Sequence, residues 1–211
     1  MLGALFGGHL FTLLTGEFPG PGPGFTQGVS IKIDTTTTIN TQSPERFVSG
    51  PLRFIPQLVT WYWSTTGQMT QEADGSYSIL WSHHAGVLTT LGKNYIEGKI
   101  GDAAYASNTK FANKTSLSSF AGAPAATWLS VYNEIVDGNG LARTEGAYAS
   151  TGDGVWTITK QFTASGAYTD VQLTGLNWST ANSTLLCADT FTPVTLASGD
   201  KLTITWTITV T

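Results

Sequence analysis

The chain has 211 residues, 41% of them apolar and only 11% charged, with a net charge of −4. That length suffices for one large domain, or a small domain plus an arm, around a sizeable core. The weak negative charge excludes the basic footprint of a nucleic-acid binder, and so few ionic groups leave the surface to Thr, Ser, Asn, Gln and Gly.

The start, Leu2 to Leu14, is apolar. It lacks a basic flank and is too short to span a membrane, so it reads as neither signal peptide nor anchor. Gly3, Gly7 and Gly8 weaken any helix there. An apolar terminal segment must still be covered, and a partner subunit is the simplest cover. Residues 17–28, E-F-P-G-P-G-P-G-F-T-Q-G, alternate Pro with Gly. This removes backbone donors and supplies unusual dihedrals, which predicts an extended arm. Residues 1–28 are therefore expected to form an apolar segment and arm, and 29–211 the domain. Leu5, Phe6, Leu10, Phe11, Leu13 and Leu14 are the candidate attachment residues. Burying them on a partner supplies on the order of 10 kcal/mol gross, much of it consumed by ordering the arm.

Val29 to Asn40 alternates apolar or β-branched residues with polar ones and predicts a strand. Leu58 to Trp63 predicts another, in which Trp61 and Trp63 share a face. That pair suits a subunit interface or, in the alternative, a sugar-stacking platform. Met69 to Trp81 reads as a hairpin turning at Ala73-Asp74-Gly75-Ser76. One helix is expected next, with Ser82 as N-cap and Val87, Leu88, Leu91, Tyr95 and Ile100 along one side. Residues 101–126 predict loop and Thr127 to Glu134 a strand. Turns are expected at 137–140 and 151–154. Val155 to Thr163, Asp170 to Leu176 and Leu185 to Phe191 read as strands, and Thr192 to Leu196 as an extended piece.

The last eleven residues carry the clearest pattern, K-L-T-I-T-W-T-I-T-V-T. Leu202, Ile204, Trp206, Ile208 and Val210 fall on one face of an extended chain, and threonines fall on the other. A period of two sustained this long predicts a strand. With turn residues at Ala197 to Asp200, it predicts a C-terminal hairpin at the centre of the fold. The expectation is an all-β protein: an antiparallel, jelly-roll-like β-sandwich with one short helix and an extended N-terminal arm.

No nucleophile with a base, phosphate loop or paired carboxylates stands out, so no catalytic residue is expected. His83 and His84 are adjacent, which is poor metal-ligand geometry, and read as a polar pair opening the helix. Asp137-Gly138-Asn139-Gly140 and Asp153-Gly154 are fragments of calcium loops without the full ligand series, and read as turns. The single Cys187 excludes an intrachain disulfide and reads as a small buried hydrophobe. No metal and no cofactor are expected.

Residues 81–96, W-S-H-H-A-G-V-L-T-T-L-G-K-N-Y-I, resemble the segment that opens a helix in a group of tailed-virus structural proteins. Residues 140–148 (G-L-A-R-T-E-G-A-Y), 157–166 (T-I-T-K-Q-F-T-A-S-G) and 196–208 (L-A-S-G-D-K-L-T-I-T-W-T-I) are similar to the same group, in the same order and spacing. The resemblance spans residues 77–211 and leaves 1–76 without a counterpart. Members are phage virion components: head decorations, spikes or tail appendages. The resemblance implies a non-enzymatic assembly role on a virion, with copies of the chain and other capsid or tail proteins as partners. The alternative it leaves is a carbohydrate- or receptor-binding module that contacts a host surface glycan. Nucleic acid and a membrane span are not among the partners expected.

Overall fold

Leu202, Ile204, Trp206 and Ile208 are buried, while Thr203, Thr205, Thr207 and Thr209 between them stay half-buried. The period of two in the sequence is thus the period of burial, as a strand with one core face requires. The protein is seen as a computed structural model that describes residues 12–13, 29–47, 69–101, 112–136 and 139–210. Its strands are β1 (Thr12–Leu13), β2 (Val29–Thr41), β3 (Met69–Gln71), β4 (Tyr77–Ala85), β5 (Val87–Leu88) and β6 (Lys114–Ser118). They continue with β7 (Thr144–Glu145), β8 (Ala147–Gly152), β9 (Val155–Thr163), β10 (Tyr168–Asn177), β11 (Leu185–Leu196) and β12 (Lys201–Val210). The α-helix is α1 (Thr90–Gly101), and Pro44–Phe47 forms a 3-10 turn.

The strands form two antiparallel sheets. The larger runs β3-β4-β2-β12-β9-β8, with β1 on the start of β2; the smaller runs β5-β11-β10-β6-β7. β12 lies between β2 and β9, so Trp206 stands between Thr35 and Ile158, and Leu202 between Ile39 and Phe162. These inner-face residues share one core with Leu117, Leu176 and Phe191 of the smaller sheet. The all-β sandwich expected from the sequence is therefore the fold observed. On the outer face, threonines align across strands: Thr36, Thr205 and Thr159 form one row. The Thr159 and Thr205 hydroxyls are 3.2 Å apart, and Gln161 donates to Thr203 at 3.3 Å. Such cross-strand pairs hold a sheet whose exposed face has few charges.

Four local expectations are corrected. The first is the C-terminal hairpin. β11 pairs with β10 and β5, and β12 with β2 and β9, so Ala197–Asp200 carries the chain from one sheet to the other. Turn residues specify a reversal, not the plane in which the chain continues. The second is the helix start. β4 runs through Ser82, His83 and His84, and the N-cap is Thr89, whose hydroxyl accepts from the Gly92 N–H at 2.8 Å. The expected stripe was split because Val87 and Leu88 pair with β11.

The third is β6, which lies within the stretch read as loop. Its Thr115, Ser116 and Ser118 are buried, and small polar residues carry no hydrophobic signal there. The fourth is Thr127 to Glu134, which forms irregular turns whose one β-bridge to β6 joins Ser118 and Glu134. The strands near 69–81, 155–163 and 170–176 stand where they were expected, and Thr192–Leu196 continues β11.

Candidate functional site

Most of the proposed attachment residues, Leu5, Phe6, Leu10, Phe11 and Leu14, lie outside the described residues, as do Trp61 and Trp63. Leu13 belongs to β1 and is the register partner of Val29. The described surface offers a different candidate, in the segment between β6 and β7.

Trp128, Val131 and Ile135 of this segment are buried, whereas Leu129, Tyr132 and Val136 are exposed, by 54, 55 and 77%. Each set follows steps of three and four residues. The segment therefore buries one side and shows the other, although it is not a helix. The buried side covers the outer face of the smaller sheet, where Trp128 and Val131 pack on Leu173, Leu185 and Ala188. Gly175 of β10 makes this approach close. A Cβ built there would lie 2.5 Å from Val131 Cγ2 and 2.8 Å from Leu185 Cδ1, so no larger residue fits without displacing the segment.

Aromatic contacts stiffen the exposed side. Trp128 meets Tyr132 edge to face at 4.8 Å, and Phe120 meets Trp128 at 5.6 Å. Backbone bonds fix the segment to its surroundings: Leu185 N–H donates to Leu129 O at 3.2 Å, Ile135 N–H to Leu117 O at 2.9 Å, and Thr90 N–H to Ala126 O at 2.7 Å. Ser118 Oγ donates to Tyr132 O and accepts from Phe120 N–H. Glu134 and Arg143 then close the base of the segment in a two-pronged ion pair, with Arg143 Nε donating to Glu134 Oε1 at 2.7 Å and Nη2 to Oε2. Arg143 Nη1 also donates to Ser179 O and Ala181 O, which holds the loop before β11. Three exposed apolar side chains on a segment held this firmly make it the candidate contact surface among the described residues.

Of the remaining sites read from the sequence, Asp137 and Gly138 lie outside the described residues, and the others stay apart. His83 pairs with Thr36 and His84 with Thr35, so the two rings take opposite faces of β4, and both residues are exposed. Asp153 is an exposed turn residue between β8 and β9. Cys187 is buried, and burial, reinforced by nearby Asp189, pushes its thiol well above the ordinary range. Among the described residues no group of three or more His, Cys, Asp or Glu could hold a metal ion. Among them, too, no helix is long and apolar enough to cross a membrane.

The sequence reading missed Leu129, Tyr132 and Val136 because it took this stretch as a strand. One signal was present. Trp128, Leu129, Val131 and Tyr132 place large apolar groups on both faces of an extended chain, which a one-faced strand does not need. No family model matches this chain, no curated protein matches it, and no solved structure matches it.

Proposed function

We propose that this chain is a non-enzymatic structural subunit of a tailed-virus particle, attached to it through contacts with copies of itself or with other virion proteins. The observation that carries the reading is the exposure of three apolar side chains, Leu129, Tyr132 and Val136, on the segment that the Glu134–Arg143 pair fastens to the sandwich. Exposed apolar side chains on a rigid base mark contact surfaces. The charge-poor, threonine-rich outer sheet face and the sequence resemblance over residues 77–211 support the same reading. The apolar run from Leu2 to Leu14 is a second attachment element within it.

The test is incorporation. Leu129→Asp/Val136→Asp and a deletion of residues 1–24 are each made in the particle-producing background. Loss of incorporation in either, with the purified variant retaining its melting temperature, supports the proposal. Normal incorporation of both sinks it. The alternative, a carbohydrate- or receptor-binding module, draws on Tyr132, whose exposed ring can stack on a sugar. Glycan-array binding that Tyr132→Ala abolishes would favour it.

A further inference from the structure

Among the described residues, most of the buried side-chain polar atoms without a hydrogen-bond partner lie around β2, the others being Thr115 Oγ1 and Asn177 Oδ1 in the smaller sheet. Thr35 and Thr37 share the inner face of β2 and are buried. Register sets Trp206 of β12 and His84 of β4 on either side of Thr35, and Ser82 of β4 beside Thr37. Asp189 of β11 comes from the opposite sheet, 5% exposed. It lies close enough for the Thr35 hydroxyl to favour its charged form, yet without hydrogen-bond geometry between them. The strand beside β11 presents only Thr174 opposite Asp189.

Thr35 Oγ1, Thr37 Oγ1, Ser82 Oγ, Asp189 Oδ2 and Trp206 Nε1 are all buried, and none has a hydrogen-bond partner among the described residues. Native interiors leave few such atoms, and they rarely fall in two adjacent rows of one sheet. Their chemistry narrows what they can bind. The indole N–H only donates, which excludes a coordinated cation at that corner. The carboxyl group disfavours an anion. The hydroxyls do both. A small neutral molecule that donates and accepts fits every atom, and that molecule is water.

We propose that this junction is an internal hydration site, where long-lived water bridges the Trp206 indole N–H, the hydroxyls of Thr35, Thr37 and Ser82, and the Asp189 carboxyl group. The bound water joins the two sheets across a stretch that side chains leave unbonded. It also explains why β2 carries inward threonines at 35 and 37, where valines would pack as well.

The test uses the full chain labelled with nitrogen-15. Water-selective nuclear and rotating-frame Overhauser spectra are recorded, with the Trp206 indole proton assigned by Trp206→Phe. The expected result is a cross-peak between that proton and water with the sign of a tightly held molecule. No such cross-peak, or one to a side-chain hydroxyl instead, overturns the proposal. Thr35→Val/Thr37→Val supplies a second readout. If water is bound, this variant weakens the cross-peak and lowers the melting temperature. A raised melting temperature would mean that the hydroxyls are simply orphaned in a dry core, and would also overturn it. Should the variant fail to fold, the wild-type spectrum decides.

Discussion

Arg46 Nη1 donates to Asp200 Oδ2 at 2.8 Å and joins two residues 154 positions apart. Asp200 closes the turn that hands the chain from β11 to β12. Its Oδ1 accepts from Thr41 at 2.9 Å, and its Oδ2 also accepts from the Ala197 N–H at 2.8 Å. One carboxylate thus ties the end of β2, the 3-10 turn and the crossing between sheets. Its side chain is 7% exposed, and that of Arg46 33%. Asp200→Ala leaves three donors unanswered and should cost about 3 kcal/mol. Urea denaturation would measure it. A loss below about 1 kcal/mol would show that water replaces the carboxylate.

Trp206→Asp should prevent soluble folding. Trp206 is fully buried between Thr35 and Ile158, and the variant places a charge in the centre of the larger sheet. Soluble yield and far-ultraviolet circular dichroism would show it. A variant that purifies and melts like the parent would mean that the strand presents the other face to the core.

Stability should fall as pH rises through the acid-to-neutral range, because of Asp189. Burial pushes its carboxyl from the ordinary 3.8 up to about 7, and Asp34 adds to the rise, while the Thr35 hydroxyl and the Thr190 N–H oppose it. An acid raised in the folded state keeps its proton there after the unfolded chain has released it. Its contribution is full below pH 3.8, declines as pH rises toward about 7 and is lost above that. The nominal span is about 4 kcal/mol as an upper bound. Asp34 and Cys187 lie beside this group and His84 pairs with Thr35, so the measurement is the difference from Asp189→Asn, which retains all three. Melting temperatures of the two chains should diverge between pH 4 and 8, in favour of the variant at the alkaline end. Parallel curves would contradict the assignment.

Removing the Arg143 side chain should free the apolar patch before it unfolds the sandwich. Arg143 and Glu134 are 6 and 11% exposed, so Arg143→Ala strands a carboxylate in a poorly hydrated place and releases the 179–184 loop. A destabilisation of about 3 kcal/mol is expected. Limited proteolysis should then cut within 119–136 under conditions where the parent resists. Resistance equal to the parent's would mean that the aromatic contacts of Phe120, Trp128 and Tyr132 suffice to hold the segment.

The C-terminal strand was legible from Lys201 to Val210, although Val210, read onto the buried face, is only half-buried, because one-sided burial writes itself into the sequence as alternation. β2 and β9 were legible for the same reason, as were the turns at Ala73–Ser76 and Thr151–Gly154. β6 was not, because Leu117 is the one apolar residue among its buried positions, and the hydroxyls of Ser116 and Ser118 are answered by partners outside the strand: Ser116 by Gly175 O and Asn177, and Ser118 by Tyr132 O. The segment around Tyr132 was misread since its periodicity follows the surface it covers, not a regular backbone. The candidate patch, the crossing at Asp200 and the meeting of Asp189 with Thr35 each depend on which strands become neighbours. Local sequence sets the period and the reversals of a chain. Neighbourhood is set by which apolar faces close on one another, and that energy belongs to pairs of segments that neither one encodes alone.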